Sequence, residues 1–211
     1  MKLVLLGVSG AGKGTQSKNI IKRYNLGHIS TGDILRRHIR DGTAIGLKIQ
    51  DGMDAGQLVD DELMIDIVKD VVTRPEFENG YILDGFPRTL AQAQIFDEFE
   101  RIDLAVYVQV DDKVVIERLT GRWVCDCCAQ MYHINSFPPK APGICDECGC
   151  RLIQREDDKA ETVKDRLRIF HELTDSVISY YKELGVLFTV SGEGDADTIT
   201  NTIIQKLDTL V

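Results

Sequence analysis

The sequence predicts an α/β fold built on a doubly wound, five-stranded parallel sheet, and three observations indicate it. Five short apolar runs are distributed along the 211 residues, and helical patterns separate each run from the next. The runs are apolar along most of their length, which is typical of strands covered by helices on both faces. The first run leads directly into a glycine-rich turn and a helix. Ligands of such sheets bind at the carboxyl ends of the strands, so we expect the site there.

The predicted elements alternate along the chain, apart from two segments. We place the strands at residues 2–6, 27–30, 81–83, 104–110 and 187–191. We place helices at residues 15–24, 31–41, 43–55, 60–73, 90–100, 111–120 and 158–184, with a last helix from residue 197. The helices at 31–41 and 43–55 have no strand of their own, so we expect them to form an insertion over the core. Residues 121–158 are cysteine-rich and form the second insertion.

The helix boundaries depend on capping residues and on residues that stop helices. Thr31 and Asp111 each precede a helical pattern and have side chains that cap helix N-termini. Gly121 follows the helix that Asp111 opens, as expected at a helix C-terminus. Asp158, followed three residues later by Glu161, is typical of a capping box. This pair predicts where the long helix near the C-terminus begins.

The composition is that of an ordinary globular protein, with 43% hydrophobic and 28% charged residues. The longest apolar run is far shorter than the roughly 20 residues that cross a bilayer, so we expect no membrane segment. Because the chain begins with a core strand, we expect no targeting peptide and a cytoplasmic protein. The net charge of −9 disfavours a general nucleic-acid surface. No exposed apolar periodicity indicates an assembly, so we expect a monomer.

The glycine-rich turn after the first strand has the spacing of a phosphate-binding P-loop. It reads Gly7-Val-Ser-Gly-Ala-Gly-Lys-Gly-Thr15 and opens a helix, whose first N–H groups and positive dipole end favour an anion. Lys13 adds a charge between the β- and γ-phosphates. The hydroxyl that usually follows the lysine and holds Mg²⁺ is displaced by one residue, because Gly14 precedes Thr15. We therefore expect Mg²⁺ to be held through water and phosphate, with Thr15 on a phosphate oxygen.

Other charged residues fall at the ends of predicted elements. Asp84 ends a strand on the same edge as the P-loop, where a nucleotide enzyme needs a carboxylate for Mg²⁺ or its waters. An ordinary helix cap is the less favoured alternative. Five arginines lie at element ends or at the core edge of a helix, and guanidinium groups suit phosphate oxygens, although each alone also fits a structural ion pair. They are Arg36, Arg88, Arg122, Arg155 and Arg166.

The six cysteines cluster within 26 residues, which favours metal rather than disulfides in a reducing compartment. Two Cys-x2-Cys pairs, Cys125 with Cys128 and Cys145 with Cys148, can close a tetrahedral zinc site. Cys127 and Cys150 are left over, so spacing alone leaves a shifted ligand register open. His133 is a less favoured alternative ligand.

Taken together, these stretches resemble the adenylate kinase family in its long form with a zinc-bearing lid. The resemblance covers residues 1 to 192 and is carried by the P-loop, by Ile29-Ser-Thr-Gly-Asp-Ile-Leu-Arg36, by Leu83-Asp-Gly-Phe-Pro-Arg-Thr89, by Gly121-Arg122, and by the acidic and basic residues from Arg155 to Arg166. It implies a core of residues 1–29, 60–120 and 159–211, an AMP-binding insertion at 30–59 and a lid at 121–158. It also implies one structural Zn²⁺ per chain and Mg²⁺ with ATP.

The resemblance assigns roles to individual residues. The implied ATP-binding residues are Gly10, Ala11, Gly12, Lys13, Gly14, Thr15, Arg122, Met131, Tyr132 and Gly194. The implied AMP-binding residues are Thr31, Arg36, Gln57, Leu58, Val59, Gly85, Phe86, Pro87, Arg88, Gln92, Arg155 and Arg166. The implied catalytic residues are Lys13, Asp84, Arg88, Arg122, Arg155 and Arg166. Some relatives have a lysine near Gly194 that this chain lacks. We expect little loss of ATP binding, because the family binds ATP there through the backbone.

The implied reaction is phosphoryl transfer from ATP to AMP, giving two ADP. Its acceptor is an already ionised phosphate, so no general base is needed, and none of the four histidines has a triad-like context. Gln92 lies one helical turn after Arg88, and its carboxamide matches the hydrogen-bonding edge of adenine. The opposite pattern on guanine predicts a preference for AMP over GMP.

Two other functions remain open at this point. A kinase acting on UMP, CMP or GMP would share most of these motifs. A P-loop ATPase that uses a zinc ribbon to bind a partner would share the P-loop and the cysteines. Residues 121–158 contain four Lys or Arg and six Asp or Glu, which disfavours nucleic acid as that partner. We expect the metal to be a structural staple, because 38 residues bury too little surface to fold alone.

Overall fold

A five-stranded parallel sheet lies at the centre of the protein in a computed structural model, which describes residues 1–210. The strands of the described chain are β1 (Lys2–Leu6), β2 (Gly27–Ser30), β3 (Tyr81–Asp84), β4 (Leu104–Gln109), β5 (Arg122–Cys125), β6 (Met131–His133), β7 (Leu152–Ile153) and β8 (Leu187–Ser191). The central sheet has the order β2-β3-β1-β4-β8, and all its pairings are parallel. The predicted fold class is therefore confirmed, with β1 in the middle and the P-loop at its carboxyl end.

Helices cover both faces of this sheet. They are α1 (Lys13–Tyr24), α2 (Thr31–Arg40), α3 (Ala44–Asp54), α4 (Asp61–Val72), α5 (Leu90–Phe99), α6 (Asp112–Thr120), α7 (Ala160–Glu183) and α8 (Ala196–Leu207). Alternate residues of β1 enter opposite cores: Leu3 packs in a cluster with Ile20 of α1 and Ile203 of α8, whereas Val4 packs in a cluster with Phe96 of α5 and Val177 of α7. None of the described helices is long and apolar enough to cross a bilayer.

The predicted capping box at the start of α7 is wrong. The helix begins at Ala160, and Lys159 occupies the N-cap position without a side-chain cap. Asp158 belongs to a preceding 3₁₀ turn, where its side chain is fully buried and pairs with Arg122. A guanidinium gives this buried carboxylate stronger hydrogen bonds than a backbone amide does, so the aspartate serves the ion pair.

The two predicted insertions contain separate structural units, while the exact domain boundaries stay a prediction. Helices α2 and α3 pack against each other beyond β2. Strands β5, β6 and β7 form a small antiparallel sheet in the order β6-β5-β7. This sheet, with the residues 121–158 that carry it, is called the lid below.

The close packing of α2 on α3 depends on Gly46. A Cβ at this position would lie 2.1 Å from the carbonyl oxygen of His38, which is backbone and cannot rotate away. We expect Gly46→Ala to destabilise the protein by about 1–3 kcal/mol, the usual cost of overpacking.

Gly52, in the same helix, is the matched control for this substitution. A Cβ there would meet its nearest atom, in the flexible Gln57 side chain, at 3.6 Å. Alanine also has the higher helix propensity, so Gly52→Ala should be neutral or stabilising by up to about 1 kcal/mol. Urea unfolding followed by circular dichroism compares the two, and equal effects would contradict the proposed clash.

Candidate active site

The P-loop wraps an open space at the start of α1. The first N–H groups of α1 have no acceptors within the helix. Gly12, the N-cap residue with φ of +99°, has no side chain that could accept from them instead. No atom lies within 4 Å of the position that a Cβ on Gly12 would occupy. The loop thus leaves a set of backbone donors facing a cavity of about 730 Å³.

Lys13 is folded back over this loop. Its Nζ donates to the carbonyl oxygens of Gly7 at 2.7 Å and Val8 at 3.1 Å, and lies 3.8 Å from Oδ1 of Asp84. Burial lowers the pKa of Lys13, and the Asp84 carboxylate opposes this shift. A phosphate oxygen can replace the weak carbonyl acceptors, because it is charged and forms the stronger hydrogen bond.

Asp84 lies at the carboxyl end of β3, as predicted. Burial alone would raise the pKa of this carboxyl group, but Lys13 and then His28 more than offset that effect and hold it below its usual range. An ionised, partly exposed carboxylate beside the P-loop fits Mg²⁺, which takes oxygen ligands and usually keeps several waters. The residue therefore suits direct or water-mediated binding of the metal.

All five arginines singled out in the sequence line the same large cavity as the P-loop. Arg88 is half-buried at the cavity wall, and burial together with the charge of Arg166 lowers its pKa to about 10. Burial, followed by the charges of Arg36 and Arg122, lowers the pKa of Arg155 to about 10. Both side chains remain charged at neutral pH. The residues lining the cavity include eight Lys or Arg and two Asp, so the site suits a polyanion.

Carboxylates hold two of these arginines in place. Arg122 forms a bidentate ion pair with Asp158, through Nε at 2.8 Å and through Nη2. Arg166 donates to the Asp157 carboxylate at 2.8 Å, and its Nη1 lies 3.7 Å from Asp158. The apolar face of α7 carries Val163 and Leu167, which are buried in the core. Arg168 lies off that face by helical spacing, points to solvent and bonds Glu172. Asp157 and Asp158 therefore position these arginines.

A second, smaller cavity of about 50 Å³ adjoins the first on the side of α2 and α3. Eight of the predicted AMP-binding residues line it: Arg36, Gln57, Leu58, Val59, Gly85, Arg88, Gln92 and Arg166. Thr31 is buried beside it and donates to the Asp84 carbonyl. Phe86 is different, because its side chain packs edge-on against Phe96 in the core. Its side chain is not brought to the cavity, and Pro87 lines a separate small pocket.

The lid contributes Met131 and Tyr132 to the large cavity, and the loop after β8 contributes Gly194. The structure also brings in Arg118, which the sequence analysis missed. Its guanidinium donates to the Gly192 carbonyl at 3.0 Å and lines the same cavity. The available signal was its position in the last turn of α6, four residues before Arg122.

The four predicted zinc ligands lie together in the lid. The sulfur atoms of Cys125, Cys128, Cys145 and Cys148 are all within 4.8 Å of one another. A hydrogen bond from Tyr132 lowers the pKa of Cys145 to about 6, which favours the thiolate that binds metal. Four cysteine sulfurs at this spacing are the donor set of a closed structural zinc site. His133 is not part of the cluster, since its Nε2 faces the Glu117 carbonyl.

Cys127 and Cys150 form a disulfide with each other. The expectation that the cysteines serve metal rather than disulfides is therefore wrong for these two. Cys127 lies between Cys125 and Cys128, and Cys150 lies two residues after Cys148. The two loops that carry these pairs bring Cys127 and Cys150 within bonding distance. Neither is free to replace a member of the four-cysteine cluster.

Comparison with known proteins identifies the family of this chain. A family model described as Adenylate kinase matches residues 5–186. The chain is similar to proteins named adenylate kinase from Acetivibrio thermocellus, at 47% identity, from Lachnospira eligens, at 46%, and from Caldicellulosiruptor bescii, at 44%. These matches cover 98% of this chain and 98%, 100% and 99% of the three relatives, respectively. The chain belongs to the adenylate kinase family.

Proposed function

We propose that this adenylate kinase transfers the terminal phosphoryl group of MgATP directly to AMP, in line, and that the reaction is reversible. One observation carries the proposal. Arg36, Arg88 and Arg166 line both the large cavity at the P-loop and the smaller cavity beside it. If ATP phosphates occupy the first and AMP the second, the transferred group lies among these arginines.

The proposed catalysis consists of positioning and charge neutralisation. The transition state spreads negative charge over the oxygens of the transferred group, and Lys13 with Arg88 and Arg166 can neutralise it from fixed positions. Arg88 is held by a hydrogen bond from Nε to the Gly85 carbonyl at 2.7 Å. Mg²⁺, when bound with ATP beside Asp84, supplies further charge neutralisation. An acceptor that is already a phosphate anion needs no general base.

The lid is proposed to close over ATP and exclude water. Arg122 begins β5, and Met131 and Tyr132 lie on β6, so the small sheet carries three of the predicted ATP-binding residues. Arg155, predicted to contact AMP and the transferred group, follows β7 directly after the sheet. Movement of the lid would bring them to the phosphates as one unit. An enclosed site protects ATP from hydrolysis before AMP arrives. One Zn²⁺ on the four cysteines is proposed to hold this small sheet together.

A steady-state assay with AMP, CMP, UMP and GMP as acceptors tests the proposed substrate. We expect AMP to be preferred over GMP by at least tens-fold, because an unpaired buried amide costs about 1–3 kcal/mol. ATP hydrolysis without an acceptor should be slow by comparison. Preference for a pyrimidine nucleotide would contradict the assignment of AMP, and fast hydrolysis without any acceptor would indicate an ATPase.

A further inference from the structure

The carboxamide of Gln92 is held by two hydrogen bonds of opposite kind. Its Oε1 accepts from the backbone N–H of Arg88 at 2.8 Å, and its Nε2 donates to Oδ1 of Asp61 at 2.7 Å. The side chain is 2% exposed and lines the small cavity. Rotating the amide by 180° would place its NH₂ against an N–H and its oxygen against a carboxylate. Both contacts would then be repulsive, so the structure permits one orientation.

An amide that rotates freely does not distinguish adenine from guanine. Adenine presents an amino donor beside a ring-nitrogen acceptor, whereas a 6-oxo purine presents an acceptor beside an N–H donor. A rotated carboxamide matches the second pattern as well as the original matches the first. Discrimination therefore requires a group that prevents the rotation, and glutamine alone does not provide it.

We infer that Asp61 is a specificity-determining positioning residue, which fixes the Gln92 amide in the orientation that accepts a 6-aminopurine. This inference rests on the proposed function. Within the described residues, Oε1 accepts one hydrogen bond and Nε2 donates one, which leaves one acceptor site and one N–H for the base. Asp61 lines neither the large nor the small cavity, so it acts through Gln92.

The position of Asp61 is itself well fixed. It is the first residue of α4, where a carboxylate is favoured by the helix dipole. Its Oδ2 accepts from the hydroxyl of Thr89 at 2.8 Å, while Oδ1 accepts from Gln92. Thr89 in turn caps α5, the helix that carries Gln92. The carboxylate thus connects the start of α4 with the start of α5, and it presents only acceptors to the amide.

The test compares AMP with inosine monophosphate as acceptors. These differ only in the hydrogen-bonding groups at positions 1 and 6 of the purine. We expect Asp61→Ala to lower the ratio of kcat/KM for AMP to kcat/KM for inosine monophosphate at least tenfold. The change should lie mainly in the acceptor KM, with kcat for AMP lowered less than threefold and the KM for ATP unchanged within twofold.

Two further variants keep the test decisive. Asp61→Asn preserves size but adds a donor, so it removes the acceptor-only contact at Nε2 and leaves the Arg88 N–H as the remaining constraint on the amide. It should therefore narrow the ratio as well, even if Asp61→Ala fails to fold. Asp60→Ala is the matched control, because the Asp60 side chain caps α4 by accepting from Leu63 and makes no bond to Gln92. It should lower the thermal stability and leave the ratio within twofold of the original.

The outcomes separate this inference from the proposed function. If the unmodified protein does not use AMP, both fail. If it prefers AMP and that preference survives in both Asp61 variants, only the role of Asp61 is overturned. An equal narrowing in Asp60→Ala would also overturn it, since the effect would then come from the helix terminus in general.

Discussion

Arg88→Ala is expected to lower kcat by about 10³-fold or more while the protein stays folded. An arginine that stabilises a transferring phosphoryl group contributes roughly 10³ to 10⁵ in rate. Arg88 lines both cavities, and its side chain is held by the Gly85 carbonyl rather than by a buried carboxylate. Removing the Arg88 side chain therefore leaves no buried carboxylate without its ion-pair partner. The measurement is kcat in both directions of the reaction, together with circular dichroism and the Tm.

Arg168→Ala is the control for this substitution. Its side chain is 60% exposed and pairs with Glu172, so loss of the pair should cost under about 1 kcal/mol and leave kcat unchanged. Equal losses in the two variants would mean that the inward-facing arginines have been misassigned. Arg122 is a poorer probe, because its removal leaves Asp158 buried with fewer partners. Breaking such a pair costs about 3–5 kcal/mol in stability, which would obscure the catalytic effect.

Cys125→Ser is expected to abolish metal binding and to lower the Tm of the protein by at least about 10 °C. Four sulfurs surround one position in the lid, and a structural zinc site of this kind supplies much of the folding energy of its module. Each kcal/mol corresponds to about 2–4 °C in a protein of this size. Metal content by atomic absorption should fall from about one zinc per chain to near zero.

Cys127→Ser is the matched control, only two residues away. Cys127 is bonded to Cys150 and lies outside the four-sulfur cluster, so this variant should keep its zinc. Retention of zinc by Cys125→Ser would show that another group has replaced the missing ligand. Loss of zinc from both variants would show that the cluster alone does not define the site.

The sheet, the P-loop and the convergence of the arginines could be predicted because each depends on local pattern. The run from Leu3 to Leu6 is apolar on both faces, and a strand of this kind followed by glycines has few alternative structures. Arg166 could be placed inward and Arg168 outward from helical spacing alone, and the structure agrees. The four zinc-type cysteines likewise come together as their spacing predicts.

The interactions that fix side-chain orientation could not be predicted, because they join residues far apart in the chain. Asp158 resembled a helix cap by local spacing, but its partner Arg122 lies 36 residues earlier. Asp61 and Gln92 are 31 residues apart, and neither sequence neighbourhood indicates the other. A reducing compartment disfavours a disulfide, but that argument does not take account of the lid loops, which bring Cys127 and Cys150 together.

The disulfide makes the oxidation state of two non-ligating cysteines part of the metal-binding equilibrium. It closes a stretch of the lid with a sequence separation of 23 residues. In the chain-entropy description, closing a loop of that length lowers the conformational entropy of the unfolded chain, which stabilises the folded state by about 3 kcal/mol. The proposed zinc would bind a lid that must also fold, so less of its binding energy would be spent on ordering the lid once the loop is closed. By reciprocity, zinc bound at the four cysteines would favour formation of the disulfide by the same free energy. The zinc affinity of this protein would therefore have to be reported at a stated thiol redox potential.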